Sequence, residues 1–458
     1  MFDRRPSFRH GVHPPTAKDE TRDRAIRQFP FAPLLVLPLS TLIDRPSRPL
    51  VVEGQEVQRG ETIAAPDGPL TVAMHAPASG IVRRIAPAPT ILGKMQPSIF
   101  IEPFPGSTQA IAGGDACPLS ADRQEIIRAI RDAGAVGLGG AAFPTYAKLQ
   151  AALDHPVDVI LINGAECEPY LTADYRVMLE QADDVVRGIR YLLRASGAGR
   201  AVVAIESDKS DAAESIRAAA GAAGGDGTIE VELLKVKYPQ GAEKVLIAAV
   251  LGRQVPSRGL PIDVGTLCFN VASAAEIGNC LGGGTGLVDR VITVGGPPVR
   301  EPGNYRVPLG TPLRFLLETV GMSDEAAIVF LGGPMMGQAV SSLEIPVGKG
   351  TTGVIALSPT QTASIDRQPT HPCIRCGYCV EACPMFLNPS QLGLLAQGGH
   401  YQTMADRHHL MDCFECGCCS YVCPSHIPLV QQFRVAKAAL KKSAAKDRPV
   451  RGAGGGGC

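Results

Sequence analysis

Eight of the chain's fourteen cysteines stand in two runs near its C-terminus, Cys373-x2-Cys376-x2-Cys379-x3-Cys383-Pro384 and Cys413-x2-Cys416-x2-Cys419-x3-Cys423-Pro424. No other feature limits the fold as much, because thiols this crowded need a metal to hold. The runs repeat at an offset of forty residues. This is the spacing of a two-cluster ferredoxin, in which the fourth Cys of each run ligates the other [4Fe–4S] cluster. One cluster then takes Cys373, Cys376, Cys379 and Cys423, and the second takes Cys413, Cys416, Cys419 and Cys383. Two intervening residues let three thiolates reach three corners of one cubane from a single loop, and the Pro turns the chain away. Gly377 and Gly417 leave room for inorganic sulfide and free backbone N–H groups, whose hydrogen bonds help set the potential. Structural zinc prefers two CxxC pairs with a longer gap, and disulfide frameworks belong to small secreted domains. Cys418 falls off the spacing, while Cys117, Cys268, Cys280 and Cys458 read as buried or tail thiols.

A length of 458 residues with 45% hydrophobic and 19% charged residues suits a globular chain of two to four domains. Lys plus Arg and Asp plus Glu each number 44, so the basic excess of a nucleic-acid binder is missing. The segment Met1 to Pro15 is polar and Arg-rich, with no apolar stretch of a secretion signal behind it. The apolar run Phe31 to Leu39 is broken by Pro33 and Pro38 and falls short of the ~20 residues a membrane span needs. The expectation is a soluble chain, or one held at a membrane by a partner.

The pattern along the chain predicts a multidomain α/β plus β protein. Residues 1–30 form an N-terminal extension. Residues 31–110 form a β domain, with short apolar alternations between glycine turns; it resembles the barrel-sandwich fold of biotinyl and lipoyl carriers. Those carriers display a modified Lys, and no Lys lies between Gly54 and Leu92, so the domain reads as structural. Residues 118–285 alternate helix and strand, as in a mainly parallel sheet. Helices are expected at Ala121 to Ala133, Tyr175 to Leu193, Asp211 to Ala220, Ala242 to Leu251 and around Ala274 to Cys280. Strands are expected at Val157 to Ile162, Ala201 to Ile205, Ile229 to Val236 and Thr266 to Phe269. Residues 286–358 read as a β-grasp-like module. Residues 365–436 form the two-cluster, ferredoxin-like helical domain. Residues 437–458 read as a basic, disordered tail carrying Lys437, Lys441, Lys442, Lys446, Arg448 and Arg451.

Four junctions of the α/β domain carry residues suited to a nucleotide. Gly137-Leu-Gly139-Gly140-Ala-Ala-Phe143-Pro144-Thr145 follows a helix, which is the wrong context for a Rossmann loop. Taken alone it is equally a phosphate cradle or a tight connection. Pro144 and Thr145 can open a helix whose free N–H groups face an anion, with Lys148 one turn on. Asn163-Gly-Ala-Glu166-Cys167-Glu168 follows a strand, where sites in parallel sheets lie; a solvated loop accounts for it as well. Tyr238-Pro-Gln-Gly241-Ala-Glu243-Lys244 and Phe269-Asn270-Val-Ala-Ser273 repeat the arrangement between strand and helix.

These segments, with His13-Pro14-Pro15, Lys18, the Gly332–Gly337 stretch GGPMMG and both cysteine runs, resemble one family over nearly the whole chain. It is the C subunit of the Rnf electron transport complex, a membrane-bound ferredoxin:NAD oxidoreductase. The α/β part is similar to the flavin-bearing NADH subunit of respiratory complex I. The resemblance implies FMN and two [4Fe–4S] clusters in one polypeptide, with NAD(H) as substrate. It puts the flavin cradle on Gly137, Gly139, Gly140, Phe143 and Lys148. It adds Asn163, Glu166 and Glu168, then Tyr238, Gly241 and Glu243, then Asn270 and Ser273. The carboxylates would orient the nucleotide, and the chemistry would belong to the cofactors. Leu138, Ala165 and Ala242 stand where the complex I pattern has an Arg, an Asp and an acidic residue. The implied role is a peripheral subunit on the cytoplasmic face of a bacterial inner membrane, with ferredoxin or a ferredoxin-like subunit and other members of the complex as partners and no nucleic acid. Two other functions share the same parts: a soluble flavin/iron–sulfur cobalamin reductase of metabolosomes, and a non-enzymatic ferredoxin-like relay.

Overall fold

The computed structural model describes residues 5–40, 45–91, 93–224, 227–326, 328–366 and 368–446. The chain divides into two compact units. One takes residues up to Phe8 and His13–Ser364, and the other takes Arg9–Val12 and Ile365 onward.

The larger unit begins with a barrel sandwich. One sheet orders Leu35–Pro38, Met95–Pro103, Gly80–Pro89 and Glu56–Val57, and a smaller one orders Arg48–Pro49, Thr62–Ala65 and Met74–His75. Leu37, Val57, Ile63, Val82, Ile99 and Ile101 are buried in its core, the inward half of an alternating pattern.

The α/β domain has one four-stranded sheet in the order Ile229–Leu234, Arg200–Glu206, Val159–Gly164, Thr266–Asn270, all parallel. Val159–Gly164, Arg200–Glu206 and Thr266–Asn270 are near-continuous apolar runs because helices cover both faces, whereas the edge strand Ile229–Leu234 alternates with Glu230 and Glu232. The chain steps outward from Val159–Gly164 through two strands, then returns to place Thr266–Asn270 on the opposite side. That reversal makes the gap between Val159–Gly164 and Thr266–Asn270 a topological switch point, where open α/β sheets hold their ligands.

The helix expected over Tyr175 to Leu193 is two helices, Ala173–Glu180 and Ala182–Ser196. The break falls at Gln181 (φ −130°, ψ 31°). Asp183 and Asp184 then open the second helix, where carboxylates favour the helix N-terminus.

The six-stranded sheet that follows orders Arg27–Gln28, Gly303–Pro308, Asp289–Gly295, Gly353–Leu357, Ile328–Leu331 and Gln338–Ala339. Its edge strand Arg27–Gln28 comes from the N-terminal segment and pairs in parallel with Tyr305 and Arg306.

The smaller unit is helical: Tyr378–Ala382, Pro389–Gln397, Tyr401–Arg407, Cys418–Tyr421 and Leu429–Lys446. Leu392, Met404, Leu410 and Phe433 form its core. Arg9–Val12 joins it through the Gly11 N–H to the Ala382 carbonyl (3.1 Å) and the His10 ring edge-on to Phe386. The last helix runs to Lys446, so the stretch expected as a disordered tail is helical over 437–446. Ala438, Ala439 and Leu440 are strong helix formers. Residues 447–458, Cys458 among them, lie outside the described residues.

Candidate functional site

All four junctions of the α/β domain meet at the switch point. The strand register sets Asn163 beside Asn270. Asn270 caps the helix Val271–Gly283: its Oδ1 accepts from the N–H groups of Ala272 (2.9 Å) and Ser273 (3.3 Å), and its Nδ2 donates to Asp174 (2.6 Å). The glycine loop lies against this cap. A Cβ on Gly139 would stand 3.2 Å from the Asn270 Cβ, and the Leu138 N–H donates to Ser273 Oγ at 2.8 Å. Within the loop the Gly137 N–H bonds to the Phe143 carbonyl at 2.8 Å. Gly140 has φ +107°, with nothing within 4 Å of its Cβ position. Gly139 and Gly140 are exposed and Phe143 is half-buried, so the loop presents bare backbone to solvent.

The third junction closes from the other side. Asn163 Nδ2 donates to the Gly241 carbonyl (2.7 Å), and a Cβ on Gly241 would stand 2.4 Å from the Ala165 carbonyl. Glu243 opens the helix Glu243–Leu251 and meets Lys148 Nζ at 2.8 Å. Lys148 also donates to the Cys268 carbonyl (2.9 Å) and stands 5.7 Å from the Phe269 ring centroid. The Thr145 N–H is not free for an anion as expected: it donates to the Ala135 carbonyl at 3.3 Å.

The carboxylates divide by partner: Glu166 and Glu168 accept from backbone N–H groups, and Glu243 pairs with Lys148. Glu166 is buried, and its oxygens accept from the N–H groups of Asp174 (2.9 Å) and Tyr175 (3.3 Å). It thus caps the helix Ala173–Glu180, while buried Lys18 donates to its backbone carbonyl. Glu168 accepts from Met335 (3.2 Å) and Met336 (2.7 Å) in the GGPMMG loop. A Cβ on Gly333 would come within 2.3 Å of its carboxylate. The Tyr238 hydroxyl also bonds to Glu168, whose carboxyl is pushed up to about 7, chiefly by burial. Asp174 is likewise pushed up to about 7, by burial and then by Glu166 beside it. Glu243 is 39% exposed. Of the three glutamates expected at the site, Glu166 is buried while Glu168 and Glu243 are half-buried, and Glu168 has its oxygens taken by the GGPMMG loop.

Sequence reasoning missed Arg290 and Asp174. Arg290 is fully buried and donates to the Leu138 carbonyl at 3.0 Å and to the Lys349 carbonyl. It therefore grips the glycine loop from beneath, opposite the Ser273 bond. Its partner lies 152 residues away, and no local signal marks it.

In the smaller unit the thiols sort into two groups. Cys379 has Cys423, Cys376 and Cys373 as its neighbours. Cys419 is surrounded chiefly by Cys413, Cys416 and Cys383. The first group lines a pocket with Gly377, Gly393, Leu394 and Gln397. Backbone N–H groups point at the sulfurs: Leu387, Met385 and Phe386 at Cys383, Ser390 at Cys379, and Glu415 at Cys413. Soft thiolate donors in fours, ringed by N–H groups, fit an iron–sulfur cubane. Cys418 is buried and hydrogen-bonded to Cys416.

Four family models match in chain order: an RnfC barrel sandwich hybrid domain over 6–104, a Nuo51 FMN-binding domain over 130–279, an SLBB domain over 291–339 and a 4Fe-4S dicluster domain over 369–427. Fold and site therefore define an iron–sulfur flavoprotein with an FMN-binding domain and two [4Fe–4S] clusters. The C subunit of the proton-translocating ferredoxin:NAD(+) oxidoreductase complex of Clostridium ljungdahlii is 40% identical over 86% of each chain. The C subunit of the ion-translocating oxidoreductase complex of Rhodobacter capsulatus is 38% identical over 95% of this chain and 83% of its own. The C subunit of the Na(+)-translocating ferredoxin:NAD(+) oxidoreductase complex of Acetobacterium woodii is 37% identical over 85% and 87%. The chain belongs to this family, the C subunits of ion-translocating ferredoxin:NAD oxidoreductase complexes. A solved NAD+-reducing [NiFe]-hydrogenase in the H2-reduced state shares the fold, with a TM-score of 0.52 at 19% identity over 76% of this chain and 74% of that one.

Proposed function

We propose that the chain is a peripheral electron-transfer subunit on the cytoplasmic face of a bacterial inner membrane, working between NAD(H) and ferredoxin or a ferredoxin-like subunit. One observation carries the reading. Four junctions converge on the switch point of a parallel sheet, in a chain whose other unit gathers eight thiols into two groups of four. Among the described residues no helix is long and apolar enough to cross a membrane; in this reading ion movement belongs to other members of the complex.

When bound, FMN and the clusters supply the conversion between the two-electron chemistry of a nicotinamide and one-electron transfer. The chain's residues hold and orient. Gly137, Gly139 and Gly140 offer backbone with no side chain in the way, and Phe143 provides the apolar edge. Lys148 would meet the flavin phosphate as a point charge. Glu243 orients the nucleotide through its hydroxyls, since its carboxylate keeps exposed surface. Asn163, Tyr238, Gly241, Asn270 and Ser273 fix the loops, and Glu166 and Glu168 serve by capping the helix and the loop they bind. Cys373, Cys376, Cys379 and Cys423 hold one cluster, and Cys413, Cys416, Cys419 and Cys383 hold the other. The domain borders of this reading are 31–110, 118–285, 286–358 and 365–446.

Anaerobic purification with iron, sulfide and flavin quantitation tests it. About eight irons and about one FMN per chain are expected from two four-iron clusters, with NADH bleaching the cluster absorbance. About four irons, zinc in their place, or a chain that takes up no flavin would overturn it.

A further inference from the structure

The two cysteine runs are copies, and the correspondence continues into the helices behind them. Gly377 and Gly417 share φ +85°. Forty residues separate Pro389 from Leu429 and Gly393 from Phe433, and all four are buried. On this register Gln397 corresponds to Lys437, and Arg375 to Glu415.

The copies differ in charge. Gln397 lines the cavity of the first thiol group as a neutral side chain. Lys437 donates its Nζ to the carbonyl of Cys413 and pairs with Glu415 at 2.9 Å, its side chain 19% exposed. Glu415 is shared with Arg434, also at 2.9 Å. The one carboxylate of Glu415 thus serves two cations, Arg434 and Lys437. Asp412 is the opposing charge on this side, 3.8 Å from exposed His409. Lys437 is the cation bonded to the Cys413 peptide itself. On the first group Arg375 lines the cavity but is exposed, where water and salt screen it. Packing differs too: Phe433 is a buried ring, whereas a Cβ on Gly393 would stand 2.6 Å from the Leu429 side chain.

Resting on the assignment of the eight cysteines as cluster ligands, we propose that Lys437 is a potential-setting residue for the cluster of Cys413, Cys416, Cys419 and Cys383. A reduced cubane carries one more negative charge, and a part-buried cation within bonding distance of a ligand's peptide favours that state. The sequence repeat by itself would make the two clusters alike. Lys437 raises the reduction potential of one and leaves the other where Gln397 sets it.

The test uses the full chain, reconstituted anaerobically, with iron counted and EPR-monitored redox titrations. Lys437→Gln restores the residue of the first copy and should lower the midpoint of one cubane signal, leaving the other unmoved. Gln397→Lys should raise the midpoint of the other signal, and Lys437→Arg should behave as wild type. Unmoved midpoints in both variants at full iron content overturn the proposal, as does movement of the same signal by both. If Lys437→Gln sheds iron, Gln397→Lys decides: a raised midpoint supports the proposal and an unmoved one overturns it. A wild-type chain without cubane iron overturns the ligand assignment, and the proposal with it.

Discussion

Replacing Lys148 with Met separates its work on a ligand from its work in the fold. The stem length is kept and the charge removed. Lys148 is 29% and Glu243 39% exposed, and an exposed ion pair contributes ~0.2–1 kcal/mol. The variant also loses the bond to the Cys268 carbonyl, so it should unfold within about 4 kcal/mol of wild type. A hydrogen bond from a charged donor is worth ~1.5–3 kcal/mol when its partner is a ligand phosphate. At about 1.4 kcal/mol per decade, its loss weakens flavin binding roughly 10- to 150-fold. The assay is titration of the flavin-stripped full chain with FMN, followed by flavin fluorescence, with iron counted on the same sample. Lys148→Arg should keep most of the affinity, because the charge survives. A Lys148→Met Kd within about twofold of wild type, well under the tenfold that 1.4 kcal/mol represents, at equal iron content, refutes the phosphate role.

Glu243→Ala should raise the KM for NADH about tenfold, the loss of one charged hydrogen bond, while cluster absorbance is untouched; unchanged kinetics would remove Glu243 from the site. Cys376→Ser and Cys423→Ser should each leave about four irons and abolish the same EPR signal, because the fourth Cys of one run serves the cluster of the other; loss of different signals would show that the sets are not crossed. Glu168 is raised from 4.5 to about 7, so the folded state holds its proton more tightly, and stability is lost as pH rises from about 4.5 through about 7. A shift of about 2.5 units at 1.36 kcal/mol each gives roughly 3 kcal/mol. Wild type should lose about that much relative to Glu168→Gln between pH 4.5 and 8, and parallel stability curves would refute it.

The grouping of the thiols was legible in the sequence because each run crowds three of them within a few residues, and so leaves its mark in spacing. The four junctions were legible for a similar reason: each is a short segment at the end of a strand. The order of the strands was not, and it is the order that makes Asn163 and Asn270 neighbours and so turns four segments into one site. The break at Gln181 was hidden because the apolar residues on either side keep helical spacing. The helix through Lys446 was masked by its charge, although Ala438, Ala439 and Leu440 carry the propensity. Arg290 and Asp174 act through partners far along the chain, where a sequence pattern has no reach.

Burial explains which expected residues are free to meet a ligand. A carboxylate out of water must be matched by donors, and each donor it takes is one fewer for a nucleotide. Glu166 spends its oxygens on two helix N–H groups, and Glu168 on two from the GGPMMG loop. They sit in the acidic segment that pointed to the site, yet they act as fasteners within it. Lys148 and Glu243 answer one another across 2.8 Å and keep exposed surface, so each can exchange its partner for a ligand at little cost to the fold. The glycine loop completes the division, gripped beneath by Arg290 and Ser273 and bare above at Gly139 and Gly140. A rigid floor with a few exchangeable charges is what a cofactor-dependent reaction asks of its protein, since the electron chemistry is the cofactor's own.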